Sequence, residues 1–293
     1  MTVDLRGLYA ATLTPFLADE SISTDDLASL VEYNNTTAID GLYVGGSTAE
    51  AFLCSTEERI ELLRMVAELA SERLTLIAHV GDISTRKSET IARAAGGLPY
   101  HAISAVTPFY YPVGFQELKR HYSDLVQAAG KPMVVYNFPA FSGSNLSTAQ
   151  IAELLEIDGV IALKQTSANL YQMEQITRAK PEHVVFNGFD EILASGLVAG
   201  AKGGIGSTYN IQADRIAAIN AAIQRGDVEE AQRLQREANV VIDTLVGAGV
   251  IPGLKYVLKA KGIIKSDACR RPINVVSNEN KAKLDALIEV GLC

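Results

Sequence analysis

Eight times in succession this chain passes from a short apolar run of strand length into a longer stretch whose apolar residues recur at helical spacing, and that alternation narrows its possible folds sharply. The strand-like runs are Leu5 to Pro15, Gly41 to Val44, Leu74 to Val80, Ala102 to Val106, Pro132 to Phe138, Val160 to Thr166, Val184 to Phe189 and Gly203 to Ser207. The helical patterns that follow them cover Thr24 to Ala38, Thr56 to Ala70, Thr85 to Ala95, Phe115 to Ala128, Thr148 to Glu156, Leu170 to Ala179, Glu191 to Ala199 and Ile211 to Arg225. The first of these helices opens on Ser23 or Thr24 as N-cap, carries Asp25 and Asp26 in its first turn, and lines up Leu27, Leu30 and Val31. Strands and helices alternating at a repeat of about 25 to 30 residues mean a parallel sheet covered by helices. Eight such units predict an α/β fold, a closed (β/α)8 TIM barrel spanning residues 1–225. An open doubly wound sheet would place a glycine-rich dinucleotide turn after the first strand, and Thr12 to Phe16 contains none.

Beyond Arg225 the pattern is helical only, with Val228 to Val246, Pro252 to Ala260 and Glu279 to Val290. This predicts a C-terminal helical extension over residues 226–293. No Pro/Gly/Ser-rich linker sets it apart, so barrel and extension are expected to form one compact unit.

Charge excludes some partners. The formal net charge is −8 and no basic run occurs, so neither a nucleic acid nor an anionic membrane is an expected partner. Cys54, Cys269 and Cys293 are far apart and lack metal-ligand spacing, which points to a reducing compartment. With no basic-then-apolar leader in MTVDLRGLYA and no apolar run near ~18 residues, a cytoplasmic protein is expected.

In a barrel of this kind, chemistry collects at the C-terminal ends of the strands. The sixth strand carries a lysine inside V-I-A-L-K-Q-T-S. Lys164 either snorkels to water along its apolar stem or sits in a dry pocket, where desolvation leaves a neutral amine able to attack a carbonyl. Alternation puts it on one face with Ala162 and Thr166, and turns Ile161 and Leu163 toward the helices. The loop Gly45-Gly46-Ser47-Thr48 suits a carboxylate, or is simply a tight turn. Tyr136 is either a proton carrier or a core tyrosine, and the loop of Tyr110 and Tyr111 either lines a site or meets a neighbouring subunit. Asp190 and Glu191 open a helix, where they complement its dipole or accept hydrogen bonds from a polyol. The glycines of Gly203-Gly204-Ile205-Gly206-Ser207 make sense where something must come close.

The segments G-G-S-T-A-E, Y-N-F-P, A-L-K-Q-T-S, N-G-F-D-E and G-G-I-G-S-T-Y-N, in this order and spacing, resemble the N-acetylneuraminate lyase/dihydrodipicolinate synthase family of pyruvate-dependent class I aldolases, from Leu5 to about Pro272. The resemblance implies that Lys164 forms a Schiff base with a keto acid, that Ser47 and Thr48 hold its carboxylate, and that Tyr136 moves a proton at the cleaved bond. It further implies a relay of Ser47 and Tyr110 with Tyr136, Tyr110 arriving from a neighbouring subunit of a homotetramer. Thr166, Gly188, Asp190, Glu191, Gly206 and Ser207 would contact a sugar-like tail. No cofactor and no metal are implied, because the protonated imine is itself an electron sink.

The synthase branch is expected to carry an arginine shortly after Tyr-Asn-x-Pro, whereas here Pro139 is followed by Ala140 and Phe141. The resemblance therefore favours the lyase branch, with a small-molecule sugar acid and pyruvate as partners: N-acetylneuraminate would be cleaved reversibly to pyruvate and N-acetylmannosamine. An aldolase for another 2-keto-3-deoxy sugar acid, or a non-catalytic sugar-acid sensor, are the alternatives. One departure concerns Ala49, which stands where the family usually has glycine; if that position needs positive φ, or lies against the substrate carboxylate, the methyl would strain or crowd the site.

Overall fold

The computed structural model describes residues 3–293. Eight parallel strands close into a barrel: β1 (Gly7–Ala11), β2 (Gly41–Val44), β3 (Thr75–His79), β4 (Ala102–Val106), β5 (Met133–Asn137), β6 (Val160–Gln165), β7 (Val184–Asn187) and β8 (Gly203–Gly206), with β8 pairing back onto β1. The (β/α)8 expectation is met. Around the barrel run α1 (Thr24–Thr36), α2 (Thr56–Leu69), α3 (Thr85–Gly96), α4 (Phe115–Ala129), α5 (Pro139–Ser142), α6 (Thr148–Leu154), α7 (Leu170–Ala179), α8 (Leu193–Val198) and α9 (Tyr209–Gln224). Local chemistry sets their starts. Ser23 caps α1 by accepting from the Asp26 N–H, and Ser55 and Glu58 form a reciprocal capping box at α2.

Strand alternation sorts the apolar residues into two layers. Leu42, Leu76, Ile103, Val135, Leu163 and Val185 pack outward against the helices. Tyr9, Tyr43, Ile77, Val134, Ala162, Phe186 and Ile205 fill the barrel axis. Ile161 departs from the expected pattern: it packs with the axial cluster, not toward the helices. The cause is a register shift, Met133 facing Val160 and Val134 facing Ala162, so that one extra residue of β6 bulges out and resets the alternation. Where neighbouring strands crowd one another, glycine is obligatory; a Cβ on Gly41 would lie 2.1 Å from the Thr75 carbonyl oxygen.

Short α5 is absent from the periodicity reading. It arises because Pro139 at its start presets φ and Gly143, at φ 69°, ends it. The helix expected from Glu191 begins instead as a 3-10 turn over Asp190–Ile192 and becomes α-helical at Leu193.

The C-terminal helices are α10 (Val228–Ala248), α11 (Val250–Ala260) and α12 (Asn278–Glu289). Val241, Leu245, Leu254, Leu258 and Leu284 meet Leu13, Leu30 and Ile211 of the barrel in one apolar cluster. The Asp26 carboxylate at the start of α1 accepts from the N–H groups of Lys265 (3.0 Å) and Ser266 (3.1 Å), tying the extension to the barrel's first helix. Among the described residues no single helix is long and apolar enough to cross a membrane.

Candidate active site

A cavity of about 450 Å³ opens at the C-terminal ends of the strands, and Lys164 lies on its wall. The register of β6 sets the lysine between Tyr136 of β5 and Phe186 of β7. Its ammonium nitrogen hangs 4.2 Å from the centre of the Tyr136 ring and 4.7 Å from that of Tyr43. Burial dominates its titration and carries its pKa from 10.5 down to about 7, against the opposing pull of the Asp190 carboxylate. That displacement corresponds to roughly 5 kcal/mol disfavouring the ammonium form. The snorkelling alternative is thereby removed, because Lys164 is buried.

Tyr136 is also buried, and its phenol is pushed up to about 12 by desolvation, with the Thr166 and Ser47 hydroxyls beside it drawing it partly back. At neutral pH it is a protonated O–H. Asp190 moves up to about 6, first because it is buried; hydrogen bonds from Thr208 resist the rise. Those bonds come from the Thr208 N–H (2.8 Å) and hydroxyl (2.7 Å), both to Oδ2.

Of the residues singled out from sequence, Ser47, Thr48, Tyr136, Lys164, Thr166, Gly188, Asp190, Glu191 and Ser207 line this one cavity. Thr48 and Ser207, from opposite sides of β1, share a hydrogen bond of 2.7 Å between their hydroxyls. Gly206 lies behind the wall, where its missing Cβ makes room for the Asp190 carboxylate; an added Cβ would sit 2.1 Å from Oδ1. Gly188 likewise leaves room for the Thr166 hydroxyl. Tyr110 is not brought to the cavity by its own chain: it is 81% exposed, at φ 74°, with its ring edge-on to Tyr111.

Two residues escaped the sequence reading. Tyr43 faces Lys164 and donates its hydroxyl proton to Ser104 Oγ (3.0 Å). His79, the last residue of β3, is fully buried. Its Nε2 accepts from the Val106 N–H (3.2 Å), so the ring proton is on Nδ1 and donates to the Gly45 carbonyl (3.0 Å). Burial and the nearby Arg59 guanidinium keep it neutral. A polar-tipped side chain at or next to the end of a barrel strand was the available signal for both.

The loop after β2 forms two 3-10 turns, Ser47–Ala49 and Ala51–Leu53. Ala49 lies within the first turn and its methyl is buried in the outer core, so the feared strain does not fall on it. The left-handed residue is the next one, Glu50, at φ 56° and ψ 32°. Ala49→Gly is accordingly expected to lower stability by about 1 kcal/mol, through the lost buried methyl and the added backbone freedom, as measured by denaturant unfolding.

A neutral buried amine, a protonated phenol and a glycine loop bearing hydroxyls can together attack a keto carbon, move a proton and hold an anion. Residues 4–290 match the dihydrodipicolinate synthetase family. The chain belongs to that family. It is 51% identical over 290 residues to the N-acetylneuraminate lyase of Citrobacter koseri, covering 99% of this chain and 98% of that protein. Within the same family of folds, the structure of CdNal from Clostridium difficile in complex with mannosamine superposes with a TM-score of 0.95 at 31% identity, covering 98% of this chain and 99% of that one. N-acetylneuraminate lyase from Fusobacterium nucleatum gives 0.93 at 34% identity, with 98% of each chain covered.

Proposed function

We propose that this chain is a class I aldolase that reversibly cleaves N-acetylneuraminate to pyruvate and N-acetylmannosamine. The observation that carries the chemistry is a buried lysine with a pKa of about 7 in a cavity shared with Tyr136, Ser47 and Thr48. The substrate assignment is supported by 51% identity, over nearly the whole chain, to a lyase of that name.

In this reading the neutral Lys164 amine attacks the keto carbon and water leaves, giving a protonated imine. Ser47, Thr48 and the N–H groups of their loop hold the neighbouring carboxylate. The proton of the hydroxyl next to the scissile bond departs toward Tyr136, the C–C bond breaks, and its electron pair flows into the imine to give an enamine. Protonation at carbon and hydrolysis then release pyruvate and regenerate the amine. Because the Tyr136 phenol holds its own proton up to about pH 12, it accepts one only as it passes another on, to Ser47 or to the substrate carboxylate. In the synthetic direction it donates directly to the aldehyde oxygen.

The sugar-like tail would extend past Thr166, Ser207 and the two acids. Asp190 has one oxygen committed to Thr208, so the exposed Glu191 is the freer acceptor for a hydroxyl. Glu191→Gln is expected to raise KM for the sugar acid by roughly three- to tenfold while pyruvate still attaches to Lys164 normally, a split read by steady-state kinetics beside reductive trapping.

The proposal extends to a cytoplasmic homotetramer, supported by three unpaired cysteines and by the exposed rings of Tyr110 and Tyr111, which offer a neighbouring subunit an aromatic contact. Barrel 1–225 and extension 226–293 act as one unit in this reading, supported by the apolar cluster they share. Product analysis tests the whole: incubation with N-acetylneuraminate should release pyruvate and N-acetylmannosamine in equal amounts. Sugar-acid binding without release of either product would turn the reading toward a sensor.

A further inference from the structure

Glu50 closes the first 3-10 turn of the Ser47-Thr48 loop: its N–H donates to the Ser47 carbonyl (3.1 Å), and it holds the left-handed conformation that reverses the chain. Its side chain turns away from the cavity and is buried. There it meets Lys255 of α11, which is likewise buried and donates to Oε1. The other oxygen accepts from the Arg270 N–H (2.7 Å), and Lys255 also donates to the Ala268 carbonyl (2.8 Å). The Arg270 guanidinium continues the grip, donating to the Leu53 carbonyl (3.0 Å) at the end of the second turn and pairing with Glu58 at the start of α2. Phe16 packs under both cations, 4.4 Å from the Lys255 nitrogen and 4.5 Å from the Arg270 guanidinium carbon.

Neither charge touches the cavity, and a buried ion pair is a poor device for stability alone, because desolvation offsets much of its attraction. What this pair does is fix a position. We propose that Glu50 and Lys255 are positioning residues through which the C-terminal extension sets the Ser47 and Thr48 hydroxyls for the carboxylate of the keto acid. Breaking the pair leaves one buried charge without its partner, and the cheapest relief is for the loop that carries Glu50 to shift toward water. Thr48 and Ser47, two and three residues away on that turn, move with it, whereas Lys164 on β6 is untouched.

The inference rests on the aldolase reading, and the test separates the two. Pyruvate is titrated against the protein with borohydride, and the adduct on Lys164 is quantified as half-saturating concentration and as maximal extent. In Lys255→Met the half-saturating concentration should rise roughly tenfold while the maximal extent stays near that of the unaltered protein, since small displacements of a binding group are costly to positioning. Should Lys255→Met fail to fold, Glu50→Gln keeps the shape and the Arg270 contact, and should raise the half-saturating concentration about three- to fivefold. A reduced maximal extent with unchanged half-saturation means a purely structural role and overturns the proposal. An absent adduct on the unaltered protein overturns the aldolase reading itself.

Discussion

Lys164→Met should abolish turnover of N-acetylneuraminate, by at least ~10⁴-fold in kcat, and remove all borohydride-dependent attachment of pyruvate. Methionine keeps the unbranched stem in the space between Tyr43 and Tyr136 and loses only the amine, so the loss is chemical and not a matter of packing. The same amine dictates the acid limb of the pH profile. With its pKa at about 7, kcat/KM for imine formation should fall about tenfold per pH unit below that point and level off above it. The variant should also be more stable than its parent. The folded-state pKa lies below the unfolded value of 10.5, so the unfolded chain binds the extra proton between about 7 and 10.5, and stability rises with pH across that interval. Removing the lysine lifts that penalty, and the gain in melting temperature should be largest at or below pH 7 and shrink toward pH 10. A variant that retains turnover, or whose stability follows pH as the parent's does, would remove Lys164 from the chemistry.

The order of elements was legible because apolar periodicity is a local property. Gly41–Val44, Ala102–Val106 and Leu170–Ala179 have the same bounds in the sequence reading and in the fold, since turn residues or caps mark both ends. The placing of Lys164 with Ala162 inside the barrel was legible for the same reason, while Ile161 was not, because the bulge is set by how β5 packs beside it. Helix α5, at four residues, is too short to show a period. Tyr43 and His79 escaped the sequence reading: each is a polar-tipped residue at or next to a strand end, but nothing in its own strand shows what lies across the barrel from it. Glu50 and Lys255 are 205 residues apart in the chain, so a sequence pattern has no means of joining them. Asp190 was legible as a carboxylate at the cavity, but its commitment to Thr208 is a tertiary fact.

Tyr136→Phe separates the proton carrier from the nucleophile. The phenyl ring keeps the packing against Tyr43, His79 and Phe138, whose ring centres lie 6.2, 6.1 and 5.9 Å away, and keeps the aromatic face beneath the Lys164 nitrogen. Only the hydroxyl is lost. Imine formation with pyruvate needs a neutral amine and a held carboxylate, and neither depends on that oxygen, so borohydride should label Lys164 in the variant about as fully as in the parent. Cleavage needs the substrate hydroxyl to give up its proton as the C–C bond breaks, and positioned acid–base catalysis contributes typically ~10²- to 10⁴-fold. A fall in kcat of that size, with KM little changed and labelling intact, is the expected result. Because the phenol is held as a neutral O–H up to about pH 12, the parent's kcat should show no downward limb from this group below that pH. Equal loss of labelling and of turnover would instead make Tyr136 a residue that orients the lysine, and the proton would have to leave through the substrate carboxylate or Ser47 alone.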